Sequence, residues 1–118
     1  AHVVKDDITG ITAYISYKGY VSDGTLVASV QPETIVMERK REDGSVVMSI
    51  CTPDLGITEK GYTTTQPSQV IVKDVVLNGS WTLAGTYDNV SLKHDGGKTV
   101  VSASCRHGQP VEISILSK

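Results

Sequence analysis

Acid–base and nucleophilic chemistry in this chain of 118 residues would have to come from three histidines and two cysteines. His2 lies near the start, and His94 and His107 each adjoin a glycine-containing turn. A working site needs a histidine within hydrogen-bond reach of a nucleophile or a carboxylate, together with a group that stabilises developing charge. The spacing supplies no such set. We predict that the histidines are exposed turn residues and that the isolated domain is not an enzyme.

Metal and phosphate motifs are also missing from the sequence. No HxH, HExxH or Asp-x-Asp-x-Asp-Gly pattern occurs. Residues 96–99 (GGKT) look like the end of a phosphate loop, but the upstream glycine is absent at the required spacing and no helical pattern follows. We therefore predict no metal and no cofactor.

Cys51 and Cys105 are widely separated and belong to no CxxC pair. Both fall within predicted strands, where a free cysteine behaves as a small buried hydrophobe. A disulfide between them is the alternative. Arg106 would activate the thiol of Cys105 only if the two side chains met, and adjacent strand residues point to opposite faces.

The surrounding sequence indicates strands throughout. Val, Ile, Thr and Tyr dominate the apolar runs, Phe is absent, and no helical period extends beyond two turns. Turn signals separate these runs at short intervals, which is typical of a sandwich. We predict an all-β fold, an antiparallel two-sheet β-sandwich forming one small domain over residues 1–118. The turns are expected at Asp23-Gly24, Asp43-Gly44, 53–56, Asn78-Gly79, Asp88-Asn89, 95–97 and 108–110.

Alternation within the runs predicts which side chains share a face. A hairpin is expected over residues 34–52, with its turn at 42–44. Lys73-Asp74 interrupts an apolar run and predicts a bulge or a sheet edge. Residues 59–68 are expected to form a long loop. The sets predicted to share a face are Ile11, Ala13 and Ile15; Ile35 and Met37; Val46, Met48 and Ile50; and, facing inward, Val111, Ile113 and Ile115.

Charge and hydropathy exclude several classes of protein. The formal net charge is −2, whereas a nucleic-acid binder usually carries a basic excess. No apolar run reaches the roughly 18–20 residues that span a bilayer. The basic run 39–41 is followed at once by Glu42-Asp43, so we interpret it as the solvated end of a hairpin, with a weak site for an anionic polymer as the alternative. The first residues lack the pattern of a signal peptide, and Ala1 in place of Met leads us to expect an excised piece.

Aromatic side chains are the remaining candidates for a binding role. Tyr14, Tyr17 and Tyr20 cluster early in the chain, and Trp81 is the single tryptophan. Such rings either supply bulk to a core without Phe or stack on sugar faces. We select Tyr17, Tyr20 and Trp81 as candidate contacts to a carbohydrate or a neighbouring domain.

Four segments, in order, resemble the C-terminal domain of chondroitin sulfate ABC lyases, members of polysaccharide lyase family 8. Residues 49–57 (SICTPDLGI) are similar to that domain's strand and Pro-Asp-Leu-Asn turn, and residues 76–81 (VLNGSW) to its Asn-Gly-Lys-Trp hairpin. Residues 108–115 (GQPVEISI) are similar to its final strand, and residues 1–5 (AHVVK) to the segment that enters it. The resemblance covers nearly the whole chain. It departs at Gly56, where Asn is usual, and at Lys73-Asp74, which look inserted.

This resemblance implies a part of a large bacterial enzyme that is secreted or periplasmic and cleaves acidic polysaccharide by β-elimination. The family's catalytic residues lie in upstream domains, so none is carried over here. The expected partners are the upstream catalytic domains of the same polypeptide, with an acidic polysaccharide as a further candidate, and the expected state is a monomer. One face should carry apolar surface for that partner. An autonomous carbohydrate-binding module and an adhesin-like sandwich remain the alternatives.

Overall fold

A computed structural model describes residues 2–16, 20–21, 26–52, 57–58, 61–62, 70–106 and 108–117. Within these ranges the secondary structure consists of strands and turns, which confirms the predicted all-β class. No helix in the described part of the chain has the length and apolar character needed to span a membrane. The strands are β1 (His2–Asp6), β2 (Ile11–Ser16), β3 (Tyr20–Val21), β4 (Val27–Val30), β5 (Thr34–Lys40), β6 (Val46–Cys51), β7 (Ile57–Thr58), β8 (Gly61–Tyr62), β9 (Val70–Asn78), β10 (Trp81–Leu83), β11 (Val90–Asp95), β12 (Lys98–Arg106) and β13 (Val111–Ser117).

The strands form two antiparallel sheets, as predicted for a β-sandwich. One sheet has the order β1-β2-β5-β6-β13-β10, and the other has the order β11-β12-β9-β4-β3. β7 and β8 pair only with each other among the described residues. The pairs β1–β2, β3–β4, β5–β6, β7–β8 and β11–β12 join strands that are neighbours in sequence, and the other pairings join distant segments. Side chains of the two inner faces meet to form the core.

The predicted hairpin between residues 34 and 52 is confirmed as β5 and β6. Its turn is fixed by Asp43, whose Oδ1 accepts hydrogen bonds from the backbone N–H of Ser45 (2.9 Å) and from its hydroxyl (2.6 Å). These two bonds hold the pKa of the Asp43 carboxyl below its ordinary value. Gly44 has a φ of 89°, a conformation that glycine adopts without steric cost.

The core is aliphatic, and its inner faces follow the alternation of the strands. The predicted sets of β6 and β13 are confirmed as buried, and they face buried residues of β9 and β12. The buried residues on these four strands are Val46, Met48, Ile50, Val75, Leu77, Thr99, Val101, Ala103, Cys105, Val111, Ile113 and Ile115.

On β2 and β5 the apolar alternation marks the face that is turned away from the core. Ile15 and Met37 are 42% and 41% exposed, whereas Tyr14 is 1% exposed and Val36 is fully buried. The register pairs Tyr14 with Val36 and Ile15 with Ile35, so each predicted set does share a face. That face is the outer one, because the second sheet packs on the side of Tyr14 and Val36.

Lys73-Asp74 lies in the middle of β9, and its pairing with β12 shows no shift. Of the two predicted alternatives, the bulge is wrong, because the irregularity lies on the neighbouring β4 between Val27 and Ser29. The sheet edge is confirmed, because among the described residues β4 pairs only with residues 75–77 of β9. Because β4 pairs only with the far end of β9, loop groups complete the contacts here. The N–H of Asp74 donates to the side-chain carbonyl of Gln31 (3.1 Å), and Lys73 Nζ donates to Pro32 O (2.8 Å). Most of the predicted loop 59–68 lies outside the described residues; β8 falls within it.

Candidate functional site

The histidines do not assemble a catalytic set in the described part of the chain. His94 is exposed, as predicted, but it lies in β11 opposite Thr99 and not in the turn at 96–97, because the β11–β12 pairing extends to Asp95 and Lys98. Its Nε2 lies 2.8 Å from the carbonyl oxygen of Trp81, so this nitrogen must carry a proton for the bond to form. His107 lies outside the described residues, and of His2 only the backbone is described. No group of three or more His, Cys, Asp or Glu side chains suited to a metal occurs among the described residues.

The two thiols are unpaired and are not activated as nucleophiles. Burial raises the pKa of the Cys105 thiol, and the nearby Cys51 raises it further. Burial also raises the pKa of Cys51, which is half-buried. A raised pKa lowers the thiolate fraction at neutral pH, and the thiolate is the reactive form. Cys105 is buried and Arg106 is exposed, so these adjacent side chains diverge as predicted.

Trp81 is the only predicted contact residue whose side chain is described, and it lies at a corner between the two sheets. Its ring is half-buried against the core. The indole Nε1–H donates to Asn78 O (2.8 Å), and the backbone N–H donates to the hydroxyl of the buried Thr99 (3.0 Å). The polar edge of the ring is thus satisfied inside the fold. Tyr17 lies outside the described residues, and Tyr20 is described only as the backbone residue that opens β3 and pairs with Val30.

A buried hydrogen bond between Tyr14 and Glu38 was not predicted. The Tyr14 hydroxyl donates to Glu38 Oε1 (3.2 Å), while Oε2 is buried and has no hydrogen-bond partner among the described residues. Burial raises the pKa of the Glu38 carboxyl, although the bond from Tyr14 and the charge of Lys5 oppose that shift. The two residues are 24 positions apart and differ in polarity. Only the register of β2 against β5, which pairs Thr12 with Glu38, indicates their proximity.

A contiguous group of exposed and half-buried apolar side chains lies on the six-stranded sheet. We call it the outer apolar face; it is formed by Val4, Ala13, Ile15, Ile35 and Met37 on β1, β2 and β5. Val4 pairs with Ala13, which pairs in turn with Met37, and Ile15 pairs with Ile35. Val4 is 52% exposed, and Ile15 and Met37 are exposed to a similar extent. Contiguous exposed side chains of this kind, unlike scattered ones, mark an interaction surface.

An open concavity of about 260 Å³ continues the outer apolar face toward β6 and β13. Both apolar and polar side chains line it, and two of them, Arg39 and Glu112, bear opposite charges. The concavity is lined by Ile11, Met37, Glu38, Arg39, Val47, Ser49 and Glu112.

A second concavity, of about 230 Å³, lies on the other sheet and is more polar. Ser91 and Ser102 are cross-strand partners there, and Ser102 Oγ donates to Asp74 Oδ1 (2.6 Å). Hydroxyl, amide and carboxylate groups of this kind match the hydrogen-bonding groups of a sugar. Its lining includes Val72, Asp88, Asn89, Ser91, Ser102 and Ser104.

Comparison with known proteins adds no family to these observations. No protein-family model matches the chain, and no curated protein matches it. The resemblance to polysaccharide lyase family 8 therefore rests on the four sequence segments alone.

Proposed function

We propose that this β-sandwich is the non-catalytic C-terminal domain of a secreted or periplasmic glycosaminoglycan lyase of the chondroitin sulfate type. It supports the upstream catalytic domains of the same polypeptide, whose reaction is β-elimination of a uronic-acid polysaccharide. The observation that carries the proposal is the outer apolar face, a contiguous exposed patch of the kind that a docking domain needs. The four resembling segments supply the identity of the parent enzyme.

The size of the patch suits a contact within one polypeptide. Val4, Ile15 and Met37 are each about half exposed, so burying the rest of each side chain contributes about 1 kcal/mol, or about 3 kcal/mol together. A covalently attached neighbour needs no more than this, because its effective concentration is already high. The charges of Arg39 and Glu112 in the adjoining concavity would orient the partner and add little affinity.

The chemistry of the described residues agrees with a supporting role. Burial raises the pKa of both cysteine thiols, and the single described histidine side chain is bonded to a backbone carbonyl. The Glu38 carboxyl has a raised pKa, but its bonded neighbour is the buried hydroxyl of Tyr14. In the proposal, proton abstraction and leaving-group protonation are thus left to the upstream domains.

The test is to keep the upstream catalytic segment and this domain on one polypeptide and to measure their docking equilibrium by hydrogen exchange at the outer apolar face. Met37→Lys places a charge in the outer apolar face and should weaken docking at least tenfold. The reason is that the free energy needed to remove an ammonium group from water exceeds the free energy of a tenfold change in the docking equilibrium. Val72→Lys is the matched control: Val72 is 58% exposed, but on the opposite sheet. Equal docking in the Met37→Lys variant and the unmodified protein would refute the proposed docking face.

A second candidate function, carbohydrate binding by the domain itself, is favoured by the polar concavity beside Ser91 and Ser102. Titration with chondroitin sulfate oligosaccharides at low salt, followed by NMR, tests it. Shifts confined to this concavity would support a sugar site there, and saturable binding lost in Tyr17→Ala, Tyr20→Ala or Trp81→Ala would support the aromatic contacts instead. No shifts at millimolar saccharide would rule out both.

A further inference from the structure

The turn between β9 and β10 contains the dipeptide Asn78-Gly79, which is capable of spontaneous chemistry. Gly79 has no side chain to keep its backbone nitrogen away from the Asn78 side chain. After losing its proton to water, that nitrogen can bond to Cγ of Asn78, and the Cγ–Nδ2 bond then breaks. The side-chain nitrogen leaves as ammonia, taking a proton from water. The resulting succinimide is opened by water at either carbonyl, which gives aspartate or isoaspartate; one water is consumed, and no oxidant or reductant is needed.

The fold itself demands glycine at position 79. Gly79 has a φ of 93°, a conformation that other residues adopt only with strain. A Cβ at this position would lie 3.3 Å from the indole Nε1 of Trp81, which donates to Asn78 O. The positive φ, together with the close packing of Trp81, therefore favours the residue that makes Asn78 chemically vulnerable.

In the native structure, three hydrogen bonds hold both reacting groups against the β11–β12 hairpin. The Gly79 N–H donates to Gly97 O (3.0 Å), so the attacking nitrogen is engaged. Lys98 Nζ donates to Asn78 Oδ1 (2.8 Å), which fixes the side chain that must rotate. The Thr99 hydroxyl donates to Gly79 O (2.8 Å). The reaction requires the turn to separate from the hairpin, and each hydrogen bond that must break lowers the population of the open turn by a further factor.

From this geometry we infer that Asn78 is a deamidation site that the native fold protects and that local or global unfolding exposes. Three hydrogen bonds at about a factor of five each slow the native reaction roughly a hundredfold relative to the unfolded chain. The two products differ in consequence. Aspartate keeps an oxygen for Lys98, whereas isoaspartate adds a methylene to the backbone and displaces Gly79 from Gly97 and Thr99. A chain that forms isoaspartate cannot close this turn again in its native form.

The chain provides its own comparison. Asn89 is the only other asparagine, and Val90 follows it. The branched side chain of Val90 blocks approach of its backbone nitrogen to the Asn89 side chain, so Asn89 should react slowly whether the chain is folded or unfolded. Lys93 is an exposed lysine on the same hairpin and is the matched control for Lys98.

The experiment incubates the full chain at mildly alkaline pH, in buffer and in denaturing urea, and measures deamidation by peptide mass mapping and isoaspartate labelling. Modification at Asn78 is expected to be roughly a hundredfold faster in urea. In buffer, Lys98→Met should raise the Asn78 rate about fivefold, the worth of one hydrogen bond, while Lys93→Met leaves it unchanged. Equal rates in buffer and urea would overturn the inference, and so would a slower reaction in Lys98→Met, because the lysine would then promote the reaction. Circular dichroism of both lysine variants verifies that they are folded.

Discussion

Replacing Thr99 by valine removes a hydroxyl from the inside of the fold while keeping the shape of the side chain. Thr99 is fully buried on β12, and its hydroxyl makes two hydrogen bonds. It accepts from the backbone N–H of Trp81 (3.0 Å) and donates to Gly79 O (2.8 Å). The substitution leaves both of these groups without that partner, at the corner where β10 meets the second sheet.

The expected loss of stability follows from the two abandoned groups. Trp81 is half-buried and Gly79 is exposed, so each backbone group left without this partner costs about 1–2 kcal/mol, which gives about 2–4 kcal/mol for the pair. The extra apolar methyl group of valine returns about 1 kcal/mol. The net expectation is a decrease of about 1–3 kcal/mol in the free energy of unfolding, a large part of the total of about 5–15 kcal/mol that is usual for a domain.

Urea unfolding, followed by far-UV circular dichroism and by the fluorescence of Trp81, measures this change. Two variants calibrate it. Thr99→Ser keeps the hydroxyl and loses one methyl group, so it should cost about 1 kcal/mol. Thr52→Val removes a single bond, from the hydroxyl of the buried Thr52 to Glu33 O (3.2 Å), and should also cost about 1 kcal/mol. If Thr99→Val is no more destabilising than Thr52→Val, the hydroxyl of Thr99 does not join the two sheets in the way described.

Three further substitutions test other parts of the fold. Glu38→Gln should raise the free energy of unfolding by about 1 kcal/mol at neutral pH and leave it unchanged in acid. Burial raises the pKa of the Glu38 carboxyl in the folded state. The stabilisation from the protonated carboxyl is therefore full below the unfolded-state pKa and is lost as the pH rises through the folded-state pKa. Urea titrations across pH measure this, and a variant with the pH profile of the unmodified chain would contradict it. Tyr87→Phe removes the hydroxyl that accepts a hydrogen bond from the Ser114 N–H (2.9 Å) and should lower the free energy of unfolding by about 1 kcal/mol in the same assay. An unchanged free energy would show that water replaces the hydroxyl. Met48→Ala, at a fully buried position, should cost about 2–5 kcal/mol in thermal unfolding, and a loss below 1 kcal/mol would show that the core closes around the gap.

The sequence predicts the strands and the hairpin turns well, because period-two alternation and turn chemistry are local properties. It also places Val46, Met48 and Ile50 on one face. It does not show which face of β2 is inward, since that strand carries Ile11, Ala13 and Ile15 on one side and only one large apolar residue, Tyr14, on the other. The outer side is apolar as well, so hydropathy alone favours the wrong side for the core.

The corner around Trp81 shows a second limit. Turn chemistry predicts Asn78-Gly79, but the groups that hold this turn belong to another hairpin. Thr99 and Lys98 follow about 20 residues later, and nothing in their local sequence points to the turn. Such contacts depend on the strand order, which places β9 beside β12. The bond from Tyr14 to Glu38 was missed for the same reason.

The position of β13 has a consequence for how the chain folds during synthesis. β13 follows all the other described strands in sequence, yet it lies inside the six-stranded sheet, between β6 and the edge strand β10. While the ribosome is still producing it, β6 has no neighbour on that side, and the inner face that includes Met48 lacks its contacts with Ile113 and Ile115. The sheet therefore cannot close in the nascent chain until β13 has been synthesised, and until then the inner face of β6 is exposed to aggregation.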